Sequence, residues 1–332
     1  MNQLIREKSY FRNLLNDRIN RSLFIKQWGV IFIFLALIIL IAIFNPAFFR
    51  ITNVASILNT AAIIGFITLG ETLVVLTKEF DLSVGNLLGL CTVGIAAMTI
   101  YTKNLNPTIA SILVFLTPLI MGLVFGYINS IAVIRLKIPS FIATVGGMWI
   151  AKGLAYFILR GVPKPVNSFI KTMGRKSFFN LPLSFIVIAL VLILFYLILK
   201  RTKLGTYIYS VGSNTYAASL SGVNSNSIKT FVFVMSGLMA GLSALFLAGW
   251  TGTGYPRISD GYELYALSGV ALGGVSFSGG YGNVFTPFVG ICILQILDKL
   301  MIWRGVSPFI SNSLVGLILI ISLYFQYRGA RE

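Results

Sequence analysis

Few side chains in this sequence have the type and spacing that catalysis requires. The 332 residues include no histidine, so neither a His-based nucleophile nor a histidine metal ligand can form. Cys91 and Cys292 each lie inside an apolar run, where cysteine packs as a small hydrophobic residue. No G-x-x-x-x-G-K-[ST] sequence is present to cradle nucleotide phosphates. The sequence therefore predicts no catalytic residue, metal site or cofactor site in this chain.

Two ionisable residues, Glu71 and Lys152, lie well inside apolar runs, where a charge is costly and usually functional. Asp298 and Lys299 are near the end of another run, from which their side chains can reach the surface. Ion-coupled carriers typically need several such acids paired with bases, so this scarcity disfavours ion coupling. For Glu71 two interpretations stay open: a role in a transport pathway, or a buried, hydrogen-bonded acid.

A neutral polar stretch, GSNTYAASLSGVNSNSIK at 212–229, interrupts the apolar sequence. Asn214 suits a helix N-cap, and Gly222 suits the position after the helix. The residues between them make about two turns and place Tyr216 and Leu220 on one face, at i, i+4 spacing. The stretch is interpreted either as a linker or as a short helix shaped to enter a groove on another protein.

Composition places the chain in a membrane. It is 57% hydrophobic and only 11% charged, whereas soluble domains carry about 25% charged residues. The net charge of +17 is explained by Lys and Arg at the cytoplasmic ends of spans, where they also meet anionic lipid. Nucleic-acid binding is not expected, because no compact basic patch is interleaved with base-reading residues. We expect an all-α polytopic membrane protein.

Ten apolar runs are predicted to span the membrane: 28–44, 54–76, 84–101, 109–134, 140–160, 182–199, 228–249, 264–275, 283–301 and 309–326. The eighth run is too short for a simple crossing and is Gly-rich, so we expect it to be broken or re-entrant. The Lys/Arg distribution favours cytoplasmic termini, although the basic 160–181 loop argues against that orientation. Similar Gly-Asn pairs before the runs that begin at 84 and 283 are compatible with two related halves, and equally with chance.

Three domains are predicted around these runs. Residues 1–27 form a basic segment, either an amphipathic helix on the inner leaflet or a frayed tail. Residues 28–327 form the transmembrane domain, and 328–332 a cytoplasmic tail. Glycines four apart, at 85/89, 122/126 and 237/241, indicate close helix packing within the transmembrane domain.

Four segments in collinear order resemble the permease subunits of bacterial ribose-type sugar ABC importers, including those for pentoses, hexoses and autoinducer-2. They are LTKEFDLSVGNLLGL (76–90), IPSFIATVGGMWIAKGLAYF (138–157), TKLGTYIYSVGSNTYAASLSGVNSNSIK (202–229) and GYELYALSGVALGGVSFSGGYGNV (261–284). The resemblance implies a homodimer or heterodimer in the bacterial cytoplasmic membrane that imports a small sugar or sugar-like solute. It also implies an extracytoplasmic solute-binding protein and a separate ATPase subunit that holds ATP and Mg.

The resemblance makes residues 214–222 the coupling helix that docks in a cleft of the ATPase. The family pattern is matched by Asn214, Ala217, Ala218, Leu220, Ser221 and Gly222. Tyr216 lies within the same helix. Three positions depart from the family: Thr215 replaces a common Glu, Ser219 an Arg, and Tyr265 an Asp.

Two further sets of residues are predicted to take part in transport. Asp81, Ser83 and Gly85, with Glu71, are candidates to line or gate the pathway; the alternative is a plain inner turn capped by Asp81. The outer loop 250–263 is the candidate docking surface for the binding protein, because Arg and aromatic residues suit an interface. Its candidates are Trp250, Tyr255, Arg257, Asp260, Tyr262 and Glu263. The alternative is that the Trp and Tyr side chains are interfacial anchors.

Other functions stay open on the sequence alone. The first is an ABC permease for a nucleoside or a branched-chain amino acid, which has a similar architecture. An ion-coupled secondary transporter is disfavoured by the sparse charges within the apolar runs. A membrane enzyme is disfavoured by the absence of catalytic groupings.

Overall fold

The computed structural model describes residues 18–328, and most of them are α-helical. In chain order the helices are α1 (Arg18–Phe44), α2 (Ile51–Leu76), α3 (Val84–Tyr101), α4 (Pro107–Ile134), α5 (Ser140–Leu159), α6 (Ser168–Arg175), α7 (Leu183–Arg201), α8 (Lys203–Ser213), α9 (Thr215–Leu220), α10 (Ser225–Thr251), α11 (Tyr262–Leu272), α12 (Phe285–Trp303) and α13 (Pro308–Arg328). A 3-10 turn at Pro46–Phe49 follows α1. Two short antiparallel ladders pair β1 (Lys164–Pro165) with β4 (Thr253–Gly254), and β2 (Ser177–Phe178) with β3 (Leu181–Pro182).

Each of the ten apolar segments predicted from the sequence coincides with one helix, with differences of up to three residues at the ends, except that α1 begins ten residues before the predicted start at 28. Within the described chain, seven helices are long and apolar enough to cross a membrane: α2, α3, α4, α5, α7, α10 and α12. Helices α1 and α13 contain shorter apolar stretches, Gly29–Phe44 and Ser313–Tyr324. The prediction of an all-α multi-pass membrane protein is therefore confirmed. The two related halves stay a prediction.

The eighth apolar segment forms α11, which has only 11 residues. A non-helical stretch, 252–261, leads into it. A glycine-rich turn follows it, with Gly274, Gly279 and Gly280 at positive φ. The expectation that this segment is broken is confirmed, since neither flank continues the helix.

The predicted N-terminal segment, 1–27, lies mostly outside the described residues. From Arg18 onward the chain is part of α1, which continues without interruption to Phe44. The predicted tail, 328–332, also lies outside the described residues except for Arg328.

The long helices run between two ends of a bundle. At the first, named here the Leu76 end, α2 and α4 finish, and Glu79 between α2 and α3 pairs with Lys229 near the start of α10. At the second, named the Tyr101 end, α3 and α5 finish and the loop 160–182 covers the bundle. In that loop the backbone N–H of Asn167 donates to Thr99 on α3. Each long helix can therefore be assigned a direction, either from the Leu76 end to the Tyr101 end or the reverse.

Glycine pairs hold α4 against α10, as their spacing predicts. A Cβ on Gly122 would meet the carbonyl oxygen of Gly237, and a Cβ on Gly237 would meet that of Gly122. Gly126 and Gly241 lie equally close to backbone of the facing helix. In a membrane, where helices gain little from burying apolar surface, such close approach is a main source of association.

The third glycine pair, Gly85 and Gly89 on α3, has a different role from the predicted helix packing. It receives the non-helical stretch that precedes α11. A Cβ on Gly89 would lie 2.9 Å from the carbonyl oxygen of Pro256. The Ser259 hydroxyl donates to the Gly85 carbonyl at 2.7 Å. The spacing of the two glycines correctly predicts that another segment packs closely on α3, but it does not predict that this segment is non-helical.

Replacing Gly237 by leucine is expected to destabilise the protein. The new side chain would press on the Gly122 carbonyl, and overpacking costs about 1–3 kcal/mol. We expect a lower melting temperature in detergent. Gly146→Leu is the control, because nothing lies within 4 Å of a Cβ at Gly146. Equal melting temperatures for the two variants would contradict this account of the α4–α10 contact.

Candidate functional site

The stretch 212–229 contains a short capped helix, α9, as its sequence predicts. The Asn214 side chain accepts a hydrogen bond from the Ala217 backbone N–H at 2.9 Å. Gly222 follows the helix with φ of 81°. The side chains of Tyr216 and Leu220 are 74% and 73% exposed, respectively. Helix α9 therefore presents an aromatic–aliphatic ridge outside the packed bundle.

The two side chains of α9 that depart from the family pattern, Thr215 and Ser219, form hydrogen bonds to nearby backbone carbonyls. The Thr215 hydroxyl donates to the Val211 carbonyl at 2.8 Å. The Ser219 hydroxyl donates to the Tyr216 carbonyl at 2.8 Å. Without the i, i+4 ion pair, these bonds and the Asn214 cap hold a helix of six residues.

Helix α9 is joined to the bundle through α8, which packs against the end of α2. A Cβ on Gly212 would collide with the Leu76 carbonyl oxygen. That same oxygen accepts the Gly280 backbone N–H at 3.0 Å. The Tyr209 hydroxyl donates to the Gly282 carbonyl at 2.8 Å. Three segments, α8, the end of α2 and the turn after α11, therefore meet at one place.

A second connection runs forward from α9. Asn224 caps the start of α10 by accepting the Ser227 backbone N–H at 3.0 Å. One turn later, Lys229 Nζ lies 2.5 Å from Glu79 Oε1, in the turn between α2 and α3. The first connection thus reaches Leu76 at the end of α2, and the second reaches the 77–83 turn that follows it.

Asp81 is the centre of that turn. Its Oδ1 accepts from the Ser83 hydroxyl at 2.5 Å and from the Asn129 amide at 3.5 Å. Its Oδ2 accepts from the Ser236 hydroxyl at 2.9 Å. Both Glu71 carboxylate oxygens lie 3.2 Å from the Asp81 backbone N–H. One buried network therefore joins α2, α4 and α10.

The predicted pathway residues are brought together, but inside the packed chain. Glu71, Asp81 and Ser83 are at most 1% exposed, so none of them lines an open path in this structure. Gly85 is also buried, and a Cβ there would collide with the Glu263 carboxylate. The structure places all four in or beside an internal hydrogen-bonded turn, and their lining of the pathway stays a prediction. Their role in gating stays a prediction.

The predicted outer loop 250–263 is not one surface loop. Trp250 lies at the Tyr101 end, where its carbonyl accepts from Arg175. From there the chain follows α3 inward: the Tyr255 backbone N–H points to Thr92, and Ser259 reaches Gly85 near the start of α3. Tyr262 and Glu263 already belong to α11. Trp250 therefore stays a candidate for docking a partner at the Tyr101 end. Tyr255 and Arg257 lie on the inward segment, 252–261, and Tyr262 and Glu263 lie at the start of α11.

A charged cluster forms where this inward segment passes α5. Lys152 Nζ lies 3.2 Å from Asp260 Oδ1, and Arg257 Nε lies 3.2 Å from Asp260 Oδ2. Sequence reasoning noted each residue but did not join them, because Lys152 is more than a hundred positions away from Arg257 and Asp260 in the chain. Lys152 alone could have indicated this cluster from the sequence, because a base inside an apolar run needs an acid nearby.

Tyr265, the third departure from the family pattern, also has a specific partner. Its hydroxyl lies 2.7 Å from Asp298 Oδ2 on α12. This bond links the short helix α11 to α12.

Within residues 18–328, no group of three Cys, Asp or Glu side chains lies close enough to hold a metal ion.

Comparison with known proteins places this geometry in context. The family model described as "Branched-chain amino acid transport system / permease component" matches residues 53–323. Ribose import permease protein RbsC of Haemophilus influenzae is 32% identical over 90% of this chain and 94% of its own length. L-arabinose transport system permease protein AraH of Escherichia coli K12 is 32% identical over 90% of both chains. Autoinducer 2 import system permease protein LsrC of Yersinia pseudotuberculosis is 30% identical over 89% of this chain and 82% of its own. No solved structure shows a significant match.

Proposed function

The chain belongs to the family of branched-chain amino acid transport system permease components, and on this basis we propose that it is the membrane-spanning subunit of an ABC importer for a small sugar or sugar-like solute. The sugar assignment rests on the relatives named for ribose and L-arabinose, which align with about nine-tenths of the chain. In this proposal, ATP drives transport. We assign ATP hydrolysis, with its Mg, to a partner subunit, because this sequence contains no phosphate-binding loop.

The observation that carries the proposal is the position of α9. Its apolar ridge of Tyr216 and Leu220 is exposed, yet the helix is capped and held against the bundle. An exposed apolar ridge on a neutral helix suits a cleft in another protein, because burying an unpaired charge there is costly. We assign the cleft to the ATPase subunit, and the coupling surface to Asn214 through Gly222.

Topology follows from the same assignment. If α9 meets the ATPase, the Leu76 end is cytoplasmic and the Tyr101 end faces outward. Counting α11 with its inward segment as one broken crossing gives ten crossings, with both termini in the cytoplasm. The solute-binding protein then docks at the Tyr101 end, and a second permease chain completes the membrane unit.

The contacts suggest how ATP hydrolysis moves the transmembrane helices. When the ATPase closes, α9 shifts with its cleft. Its movement reaches α2 through Gly212 and Leu76, and reaches the 77–83 turn through Lys229 and Glu79. At that turn Asp81 holds α2, α4 and α10 together, so the three helices move as one unit. Such rigid-body motion opens the pathway alternately to either side.

Reconstituted uptake tests the proposed function. The chain would be co-purified with its partner ATPase and solute-binding protein and placed in proteoliposomes. We expect radiolabelled D-ribose or L-arabinose to accumulate only with ATP and with an ATPase whose phosphate-binding lysine is intact. Uptake that continues without the ATPase would overturn the ABC assignment in favour of an ion-coupled carrier.

The family description favours one further candidate, a permease for a branched-chain amino acid. The same proteoliposomes distinguish it from a sugar permease, with radiolabelled leucine and a nucleoside as competing solutes. ATP-dependent accumulation of leucine without accumulation of either sugar would replace the sugar assignment.

A further inference from the structure

The cluster of Lys152, Arg257 and Asp260 is charged yet lies within the transmembrane bundle. Lys152 is about seven residues before the end of α5, or about 10 Å inside the Tyr101 end at 1.5 Å per residue. Ser259, beside Asp260, reaches Gly85, which is about 24 Å along α3 from Tyr101. The cluster therefore lies at depths where lipid hydrocarbon would surround an exposed side chain.

These charges are not sealed inside the chain. The side chains of Lys152 and Asp260 are 26% and 30% exposed, and that of Arg257 is 61% exposed. Charged side chains at such depth face a bundle interior or a water-filled cavity, and they mark solute pathways. Their exposure indicates that the face carrying them is wet.

The backbone beside the cluster gives an independent argument for water. The stretch 252–261 is not an α-helix, and Arg257 and Asp260 both lie on it. Non-helical backbone at membrane depth occurs only where protein buries it or where it lines a water-filled path. One side of the stretch is packed on α3 through Gly254, Pro256 and Ser259. The other side, which carries Arg257 and Asp260, is exposed on this chain, and its charges favour a water-filled path there.

The chemistry of the cluster suits a solute rich in hydroxyl groups. Asp260 uses one oxygen for Lys152 and the other for Arg257, so the acid is satisfied. Among the described contacts, Arg257 forms its ion pair through Nε, which leaves its terminal nitrogens for other acceptors. Trp149, 63% exposed, lies with its ring centroid 5.8 Å from Lys152 Nζ and adds an apolar surface. Donors beside an aromatic face match the alternating polar and apolar faces of a sugar ring.

We propose that Arg257 and Lys152, oriented by Asp260, form a contact site for the polyhydroxylated solute as it crosses the membrane. The proposal rests on the proposed import function and names the part of the chain that the solute touches. Glu263 lies under this site, with its Oε2 buried and without a hydrogen-bond partner among the described residues. Its packing against Gly85 couples the contact site to the start of α3.

Accessibility of an introduced cysteine tests the wet face directly. In a background with Cys91→Ala and Cys292→Ala, Arg257→Cys would be exposed to a charged, water-soluble methanethiosulfonate reagent in proteoliposomes with the complete transporter. Ile150→Cys is the matched control, because Ile150 is on α5 near Lys152 and 60% exposed on an apolar surface. We expect at least about tenfold faster labelling at position 257, since a thiol in lipid does not ionise readily. Labelling no faster than at position 150 would overturn the proposal.

Transport kinetics test the contact itself. Arg257→Gln is expected to lower the maximal rate of D-ribose or L-arabinose uptake about tenfold, the effect of losing one charge-assisted hydrogen bond. ATPase association and the melting temperature should stay unchanged, which excludes a merely structural role. Arg304→Gln, in an exposed turn away from the cluster, is the control. Full uptake by Arg257→Gln would refute the contact site while leaving the import function intact. If the unsubstituted transporter imports neither sugar, it is the import function that fails, and the labelling comparison still decides whether this face is wet.

Discussion

Replacing Leu220 by arginine is expected to abolish binding of the ATPase subunit and, with it, ATP-driven uptake. Leu220 is 73% exposed on α9, so the change does not disturb the core of the bundle. In a docked complex, however, the new guanidinium would be buried without a partner. Loss of a central apolar anchor costs about 2–4 kcal/mol, which weakens association about 30- to 1,000-fold. Co-purification of the ATPase with the detergent-solubilised protein measures the effect.

Leu136→Arg is the matched control for this experiment. Leu136 is 65% exposed just after α4, at the same Leu76 end, but it is not part of α9. It should keep both the ATPase and uptake. Equal loss in both variants would show that docking uses the whole Leu76 end and not α9 alone.

The absence of charge on α9 has a measurable consequence for the same complex. Thr215 and Ser219 form hydrogen bonds to backbone where the family pattern has an ion pair. Docking should then depend on the shape of Tyr216 and Leu220, so its affinity should change little with salt, because salt screens charges. Strong dissociation of the ATPase in moderate salt would contradict this view of the interface.

Local features of this protein are readable from its sequence, because short-range physical chemistry determines them. Asn214 and Gly222 fixed the ends of α9, and apolar runs located the ten segments that become long or broken helices. Glycines four apart predicted the contact between α4 and α10. In each case the residues that decide the structure are close together in the chain.

Features that depend on distant parts of the chain were not readable. The spacing of Gly85 and Gly89 is the same as that of the other pairs, yet the turns at 256–261 and the start of α11 pack there, and not the side of a long helix. Polar residues at 250–263 are as typical of a surface loop as of a segment that follows α3 inward. Asp81 has the composition of a simple turn cap, and only the fold brings Asn129 and Ser236 to it. Hydrophobic periodicity carries no information on such pairings.

Gly212→Ala is expected to separate ATPase binding from transport. A single methyl group at this position would collide with the Leu76 carbonyl oxygen and lie 2.6 Å from the Gly280 backbone nitrogen. Because both neighbours are backbone, α8 must shift away from α2, at a cost of about 1–3 kcal/mol. The ridge of α9 remains intact, so the ATPase should still co-purify. Sugar uptake should fall at least about tenfold, since an error of about 1 Å in a coupled geometry costs more than that.

The pattern of losses identifies the contact between α8 and α2 as the route of coupling. Gly146→Ala provides the matched control, because a Cβ there has open space, and it should retain uptake, ATPase binding and melting temperature. For Gly212→Ala, ATP hydrolysis should continue but lose its stimulation by the loaded binding protein, because the movement of α9 no longer reaches Leu76. Normal uptake with Gly212→Ala would mean that the connection through Lys229 and Glu79 suffices alone. Combining Gly212→Ala with Glu79→Gln then removes both connections, and persistent uptake in that double variant would exclude the 77–83 turn from coupling altogether.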